Sequence, residues 1–157
     1  MENESTAVIG IEVNEKDIIQ FEKGLIGMPE LKRFVLMDFE GPTPLHWLQS
    51  LDNREIGFVV SDPTLFADEY SIVLDKNAQE MLEIEKGDEL VVMIVVTVKD
   101  NGREITGNLL GPIVVNASRR RGCQIVLDGT PYTTKEPLRR LKKTGEEKSN
   151  VKVGMGV

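Results

Sequence analysis

The sequence predicts a mainly β protein, a single-domain antiparallel β-barrel-like fold with one or two short helices. Three observations predict it. Short apolar runs of strand type recur along the chain, turn residues separate them closely, and only one segment has clear helical periodicity. The 157 residues are enough for one self-sufficient core. We expect the strands to close on themselves, because open sheet edges promote aggregation.

The first half of the chain reads as strands separated by polar or glycine-containing turns. Residues 7–13 alternate between apolar and other side chains, which predicts one extended strand. Residues 24–29 contain two glycines and a proline, which indicates a tight loop. Residues 52–55 form a polar four-residue turn, typical of a hairpin loop. Further strands are predicted at 18–21, 33–39, 45–51 and 56–60.

The second half adds the one clear helix and a central strand. Asp75 is a suitable N-cap for a helix over residues 76–85, and Gly87 suits its end. Residues 89–99 are almost continuously apolar, which predicts a strand buried on both faces. Asn101 and Gly102 are the strongest hairpin signal in the chain. Other strands are predicted at 69–74, 104–110, 113–116 and 123–127.

The end of the chain has a different character. Residues 137–143 are expected to form a short basic helix. Residues 144–157 are glycine-containing and polar, which predicts a disordered tail. The domain is therefore expected to span residues 1–143.

The charge distribution indicates which kind of partner the protein can bind. The net charge is −7, but residues 1–116 hold 9 Lys and Arg against 22 Asp and Glu, a net −13. Residues 117–157 hold 10 against 4, a net +6. An acidic body repels phosphates, so we expect a basic protein partner and no direct nucleic-acid binding.

Composition also excludes several classes of protein. A single cysteine, Cys123, cannot form an internal disulfide. The acidic start lacks a signal-peptide pattern, and the longest apolar run has about nine residues where a membrane helix needs about 20. We therefore expect a cytoplasmic protein that contacts no membrane.

The sequence offers little chemistry for an enzyme. His46, the only histidine, has no ligand-spaced partner for zinc, and its place beside Trp47 in a strand favours a structural role. Cys123 reads as a small strand residue, the alternative being a thiol activated by nearby arginines. We therefore predict no cofactor, metal or catalytic residues.

Some polar residues have two readings. The cluster at residues 119–121 is either a charged turn or a phosphate contact, and the first is favoured because aromatic residues are absent. Asn108, Asn116 and Gln124 lie in apolar strands, so each amide is either a clamp for a turn or a recognition group. Exposed turn residues beside an aromatic strand make a plausible contact surface. The candidate partner-binding residues are Trp47, Gln49, Ser50, Asp52, Asn53, Phe58 and Asn108.

An ordered set of motifs runs over roughly residues 7–140: FEKGLIG (21–27), WLQS (47–50), FVVSDP (58–63), Tyr70, TGNLLGPIVVN (106–116), QIVL (124–127) and PY (131–132). This set resembles the flagellar assembly factor FliW family. Ile26 and Met28 depart from that family's more usual proline and phenylalanine.

The resemblance implies a β-barrel-like fold, no enzymatic activity and two alternative protein partners. One is flagellin, and the other is CsrA, a small dimeric RNA-binding protein that represses translation of flagellin mRNA. Binding to CsrA relieves repression allosterically, and accumulating flagellin reverses it. We expect a monomer when free. The acidic body suits a basic RNA-binding partner, so charge reversal at Asp52 and Glu55 should slow association. The alternative is a ligand binder or enzyme of flavin or nucleotide type, with a pocket near residues 24–27.

Overall fold

The computed structural model describes residues 6–8, 11–140 and 151–157, and it confirms the mainly β fold. Within these residues the only α-helix is α1 (Lys76–Met81), capped by the Asp75 side chain, which accepts a hydrogen bond from the Ala78 amide at 2.8 Å. The strands are β1 (Thr6–Val8), β2 (Ile11–Val13), β3 (Ile19–Phe21), β4 (Arg33–Asp38), β5 (Leu45–Ser50), β6 (Gly57–Ser61), β7 (Tyr70–Leu74), β8 (Leu90–Lys99), β9 (Glu104–Gly107), β10 (Ile113–Asn116), β11 (Arg121–Gln124), β12 (Glu136–Pro137) and β13 (Val151–Met155).

The main sheet closes into a barrel-like ring. Strands β3, β4, β5, β6 and β8 pair in that order, β8 also pairs with β10, and β10 pairs with β11. β11 then returns to β3, which completes the ring. The β11–β3 pairing is parallel and short, matching Gln20 with Arg121 and Phe21 with Gly122, while the other pairings of the ring are antiparallel.

Two hydrophobic clusters lie on opposite faces of β10. Ile113 and Val115 belong to one cluster with Phe21, Phe34 and Leu48. Val114 belongs to the other cluster, which also contains β7 and the buried side of α1. β10 is therefore buried along its whole length, as a strand covered on both faces must be. β8, for which this burial was expected, is buried only over its middle part.

Several boundaries differ from the sequence expectations. The predicted strand over residues 7–13 is a hairpin, in which Val8 pairs with Ile11 and residues 9 and 10 lie outside the described part. The helix is shorter than expected, because the chain leaves helical geometry at Glu83, whose φ is +52°. The basic helix over residues 137–143 is wrong for 137–140. There β12 pairs with β9, and residues 141–143 are not described.

The end of the chain also differs. The expectation of disorder over residues 144–157 is wrong for residues 151–155, which form β13 in parallel with β7. Residues 144–150 lie outside the described residues, so the domain boundary at 143 stays a prediction. No helix within the described ranges is long and apolar enough to cross a membrane.

Candidate partner-binding surface

The β5–β6 hairpin brings together six of the seven candidate residues. Three lie on β5, two in the connecting loop and one on β6. Asn108 lies apart from them, after β9, where its backbone amide donates to the carbonyl of Val95 on β8. Strands β5 and β6 pair antiparallel, with Gln49 opposite Gly57 and Leu48 opposite Phe58.

Gln49 and Ser50 hold the hairpin together from inside. Gln49 is 1% exposed, and its Nε2 lies within 3.1 Å of the carbonyl oxygens of Ser50, Arg54 and Ile56. Ser50 is 0% exposed, and its Oγ accepts a hydrogen bond from the Asn53 amide at 3.0 Å. The expectation that these two side chains are exposed for a partner is therefore wrong. Buried polar groups need partners, and these find them in their own turn.

The two aromatic candidates lie on opposite faces of the hairpin. Trp47 donates from Nε1 to Gln49 Oε1 at 2.8 Å and packs on Gly57, where a Cβ would lie 2.3 Å from Trp47 Cζ2. Phe58 packs into the hydrophobic cluster beside Phe34, with ring centroids 6.4 Å apart. Trp47 is half-buried, so its outer edge can contact a partner, whereas Phe58 mainly supports the core.

Phe39 extends the aromatic surface beside Trp47 and was missed by sequence reasoning. Its ring lies edge-on to Trp47, with centroids 6.3 Å apart, and the side chain is 39% exposed. Phe39 follows the last residue of β4 and precedes the turn at residues 41–44. An aromatic residue between a strand end and a turn is the signal that could have identified it.

Asp52 connects the hairpin loop to the start of β4. Its Oδ2 accepts hydrogen bonds from the amides of Lys32 and Arg33 at 2.7 and 2.9 Å, and its Oδ1 accepts from Arg33 Nε at 3.1 Å. Partial burial alone would raise the pKa of Asp52, but the hydrogen bonds from Lys32 and Arg33 outweigh it and lower that pKa. Asp52 is thus already paired within the chain, which leaves Glu55 as the hairpin acid available to a partner.

We predict that Asp52→Asn lowers the free energy of unfolding by about 1 kcal/mol at pH 7. The amide replaces a charged acceptor of three hydrogen bonds. Because the native pKa is below the unfolded value, this stabilisation is present above about pH 4 and is lost as pH falls through the native pKa. Urea unfolding at pH 7 and pH 3 measures it. Glu55→Gln, in an exposed side chain, is the control, and an equal loss at both pH values would contradict the ionic explanation.

The clamp interpretation of the three strand amides is confirmed. Asn108 Oδ1 accepts from the Gly111 amide at 2.9 Å. Gln124 accepts from the Ile26 amide at 2.9 Å and donates to the Gly111 carbonyl at 2.8 Å, which joins the loop at 24–29 to the turn after β9. Asn116 is fully buried and hydrogen-bonds the Leu82 carbonyl, Asp88 Oδ2 and the Ser118 amide. Asn108 therefore belongs to a turn.

The basic cluster at residues 119–121 is paired with acidic residues and backbone of the same chain. Arg119 bonds Glu85 and Asp88 at 2.6 and 3.1 Å, and Arg121 lies 3.6 Å from Glu83. Arg120 donates to the Asp17 carbonyl at 2.7 Å. These pairings favour the charged-turn interpretation. The ion pairs of Arg139 and Arg140 with Asp68 extend the pattern, so the basic end neutralises part of the acidic body.

The contacts of His46 and Cys123 favour structural roles for both residues. His46 Nδ1 lies 2.8 Å from Asp38 Oδ1 on the neighbouring strand. Cys123 is 3% exposed, and burial, with a smaller contribution from Asp75, raises the pKa of its thiol to about 12. A thiol that stays protonated at neutral pH is a poor nucleophile, which disfavours the activated-thiol alternative. Among the described residues no group of His, Cys, Asp and Glu could hold a metal ion.

The loop proposed for a ligand pocket is packed with its own backbone. Gly24 has a φ of +67°, and a Cβ there would lie 2.6 Å from the carbonyl oxygens of Met28 and Pro29. Leu25 and Met28 also pair across the loop. The space beside Gly24 is therefore filled, and this geometry lends no support to a flavin or nucleotide site there.

Comparisons with known proteins agree on one family. The family model described as FliW protein matches residues 2–138. The flagellar assembly factor FliW of Caldanaerobacter subterraneus subsp. tengcongensis is 40% identical over 129 residues, which cover 82% of this chain and 86% of that protein. The FliW of Geobacter sulfurreducens is 44% identical over 128 residues, or 82% and 80%. A crystal structure of the flagellar assembly factor FliW superposes with a TM-score of 0.75 at 38% identity, and it covers 88% of this chain and 96% of that one.

Proposed function

Because this chain belongs to the FliW family of flagellar assembly factors, we propose that it is a non-enzymatic, cytoplasmic, protein-binding regulator. It binds the translational repressor CsrA and relieves repression of flagellin mRNA allosterically. It alternatively binds flagellin, so accumulating flagellin withdraws it from CsrA. The observation that carries the proposal is the family match over residues 2–138, which includes the ring and the β5–β6 hairpin.

The charge of the body supports a basic partner. Residues 1–116 have a net charge of −13, and the ion pairs of Arg119, Arg121, Arg139 and Arg140 neutralise only part of it. A protein that binds RNA presents a basic face, and opposite charges raise the rate of association. The same acidic surface opposes RNA close to it, which fits a regulator that does not itself bind nucleic acid.

The surface we propose for a partner is the exposed part of the β5–β6 hairpin. Asn53 and Glu55 lie exposed in its loop, and Trp47 with Phe39 forms an aromatic patch beside it. An aromatic patch surrounded by a polar rim is typical of protein interfaces. Gln49, Ser50 and Asp52 position this surface through their hydrogen bonds. Phe58 supports this surface by packing against the core, and Asn108 holds the turn after β9.

The partner switch is tested with purified proteins. We expect the chain to accelerate dissociation of a preformed complex of CsrA with flagellin leader RNA, measured by competition gel shift. Added flagellin should restore the complex. Acceleration of dissociation distinguishes an allosteric effect from simple competition, which leaves that rate unchanged. If the chain binds neither CsrA nor flagellin in calorimetry, the proposal fails.

The contribution of the hairpin is tested by charge reversal at Glu55. Glu55→Lys is expected to slow association with CsrA roughly 3- to 10-fold at low salt, with a smaller effect at 0.5 M salt, because salt screens exposed charges. Stopped-flow association kinetics measure it. Glu80→Lys, an exposed acid on α1, is the matched control for total charge. Equal slowing by both variants would remove the hairpin from the interface.

A further inference from the structure

Strand β7 presents a backbone edge that accepts an added strand. It does not belong to the main sheet, which consists of the ring strands together with β9 and β12, and its only strand partner among the described residues is β13. The two strands run parallel, in register from Val151 opposite Tyr70 to Met155 opposite Leu74. The pairing continues past the strand, where the Gly156 amide donates to the Leu74 carbonyl at 2.8 Å.

The core holds β7 firmly on its own. Tyr70, Ile72 and Leu74 are each 2% exposed or less and belong to the larger hydrophobic cluster. The Tyr70 hydroxyl donates to the Leu109 carbonyl, and its ring packs edge-on to Tyr132, with centroids 4.8 Å apart. The contacts of Tyr70 with Leu109 and Tyr132 are made within the body of the protein and do not involve β13.

In contrast, β13 is held by its backbone pairing and by few side chains, among them Gln79 of α1, whose Nε2 donates to the Gly156 carbonyl at 2.8 Å. Val151 and Val153 are the two side chains packed against the cluster, and both are only partly buried. Lys152, Gly154 and Met155 are exposed. Strand pairing with so little apolar burial adds only modest stability, because burial is the dominant favourable term in folding. β13 therefore has weaker side-chain support than β7.

β7 and β13 also differ in whether the family model includes them. The family match covers β7 and ends at residue 138, so β13 lies outside the matched region. The acceptor edge is thus part of the family-matched body, while the strand that occupies it comes from a segment that the family model does not include.

The seated segment shows which peptide chemistry the edge accepts. Its sequence is VKVGMGV, with apolar residues at alternate positions. Val151 and Val153 line a cavity of about 230 Å³ together with Leu90, Val91, Val92 and the carboxylate residue Asp62. When a strand is added to a sheet edge, main-chain hydrogen bonds give affinity and pockets beside alternate side chains give specificity.

We propose that the edge of β7 is a strand-addition site for an extended segment of a protein partner with branched apolar residues at alternate positions, and that β13 is its intramolecular competitor. The inference does not depend on whether that partner is CsrA or flagellin. Because β13 is covalently attached, an incoming segment competes with an effective concentration that for a short tether reaches on the order of millimolar. Occupation by β13 therefore raises the affinity that a partner needs.

The test uses the full chain and a fluorescent peptide of sequence VKVGMGV. In Val153→Asp/Gly156→Pro, a carboxylate faces Asp62 and Leu90–Val92, and the amide that donates to Leu74 is lost, which should release β13. We expect this variant to bind the peptide at least 10-fold more tightly than the wild type in fluorescence anisotropy. Met155→Asp, which changes an exposed side chain of the same strand, should behave as the wild type.

Hydrogen exchange on the same samples identifies the site. Amides of residues 151–155 should lose protection in the double variant, and amides of residues 70–74 should regain protection when peptide is added. No peptide binding up to about 1 mM, or equal binding to all three proteins, would overturn the proposal. Formation of a wild-type dimer with β13 exchanged between copies would also overturn it, by making a second copy the occupant.

Discussion

Gly24→Ala is expected to lower the free energy of unfolding by about 3–4 kcal/mol. Gly24 has a φ of +67°, where a side chain is strained, and its Cβ would lie 2.6 Å from two backbone carbonyl oxygens. Those oxygens belong to a loop closed by hydrogen bonds between Leu25 and Met28, so they cannot move aside without breaking the loop. Urea unfolding monitored by the fluorescence of Trp47 measures the loss.

Gly27→Ala separates the two causes of that loss. Gly27 has a similar positive φ, +85°, but a Cβ there meets nothing within 4 Å. We expect it to cost about 1 kcal/mol, the strain of the left-handed conformation alone. Equal losses in the two variants would contradict the argument that close backbone packing makes Gly24 necessary.

Asn116→Ala is expected to cost about 3 kcal/mol of unfolding free energy. Asn116 is fully buried. Its Nδ2 donates to the Leu82 carbonyl and to Asp88 Oδ2, each at 2.9 Å, and its Oδ1 accepts from the Ser118 amide at 3.1 Å. Alanine leaves all three groups without this partner, and burying an unsatisfied polar group is more costly than losing an exposed hydrogen bond. Urea unfolding at pH 7 measures the effect.

The same substitution has a spectroscopic consequence. The hydrogen bond from Asn116 is the largest cause that lowers the pKa of Asp88, followed by the Glu85 amide and Arg119. That pKa should therefore rise in Asn116→Ala, as followed by carboxyl NMR titration. Asn53→Ala removes an exposed amide that accepts one hydrogen bond, from the Glu55 backbone, and is the matched control. A loss no larger than that of Asn53→Ala would contradict the proposed clamp.

Local signals predicted most of the ring, because alternation and turn residues act over a few positions. The strand at residues 113–116 and the turns at 52–55 and 101–102 lie where the sequence places them. The parallel pairing of β13 with β7 was not predictable in this way. Parallel partners need not be close in sequence, and Gly154 and Gly156 lower the strand propensity of the segment.

The candidate surface was predicted only in part. Placing the candidates on one hairpin was possible from the turn, but Gln49 and Asn53 are both polar residues near its tip and only Asn53 is exposed. The difference arises from the carbonyl oxygens of Arg54 and Ile56, which face Gln49 only after the hairpin has formed. Burial of an amide by its own turn depends on geometry that residue types do not encode.

The parallel pairing that closes the ring sets an order for folding during synthesis. Gln20 and Phe21 of β3 cannot form this pairing until Arg121 and Gly122 have been made, on the order of 100 residues later in the chain. At ~5–20 residues per second, a ribosome takes roughly 5–20 s to make that stretch. Until then one edge of β3 lacks its final strand and can pair with other chains. The non-local pairing at this seam therefore leaves the edge of β3 open to aggregation until residues 121–122 have been made and have paired with it.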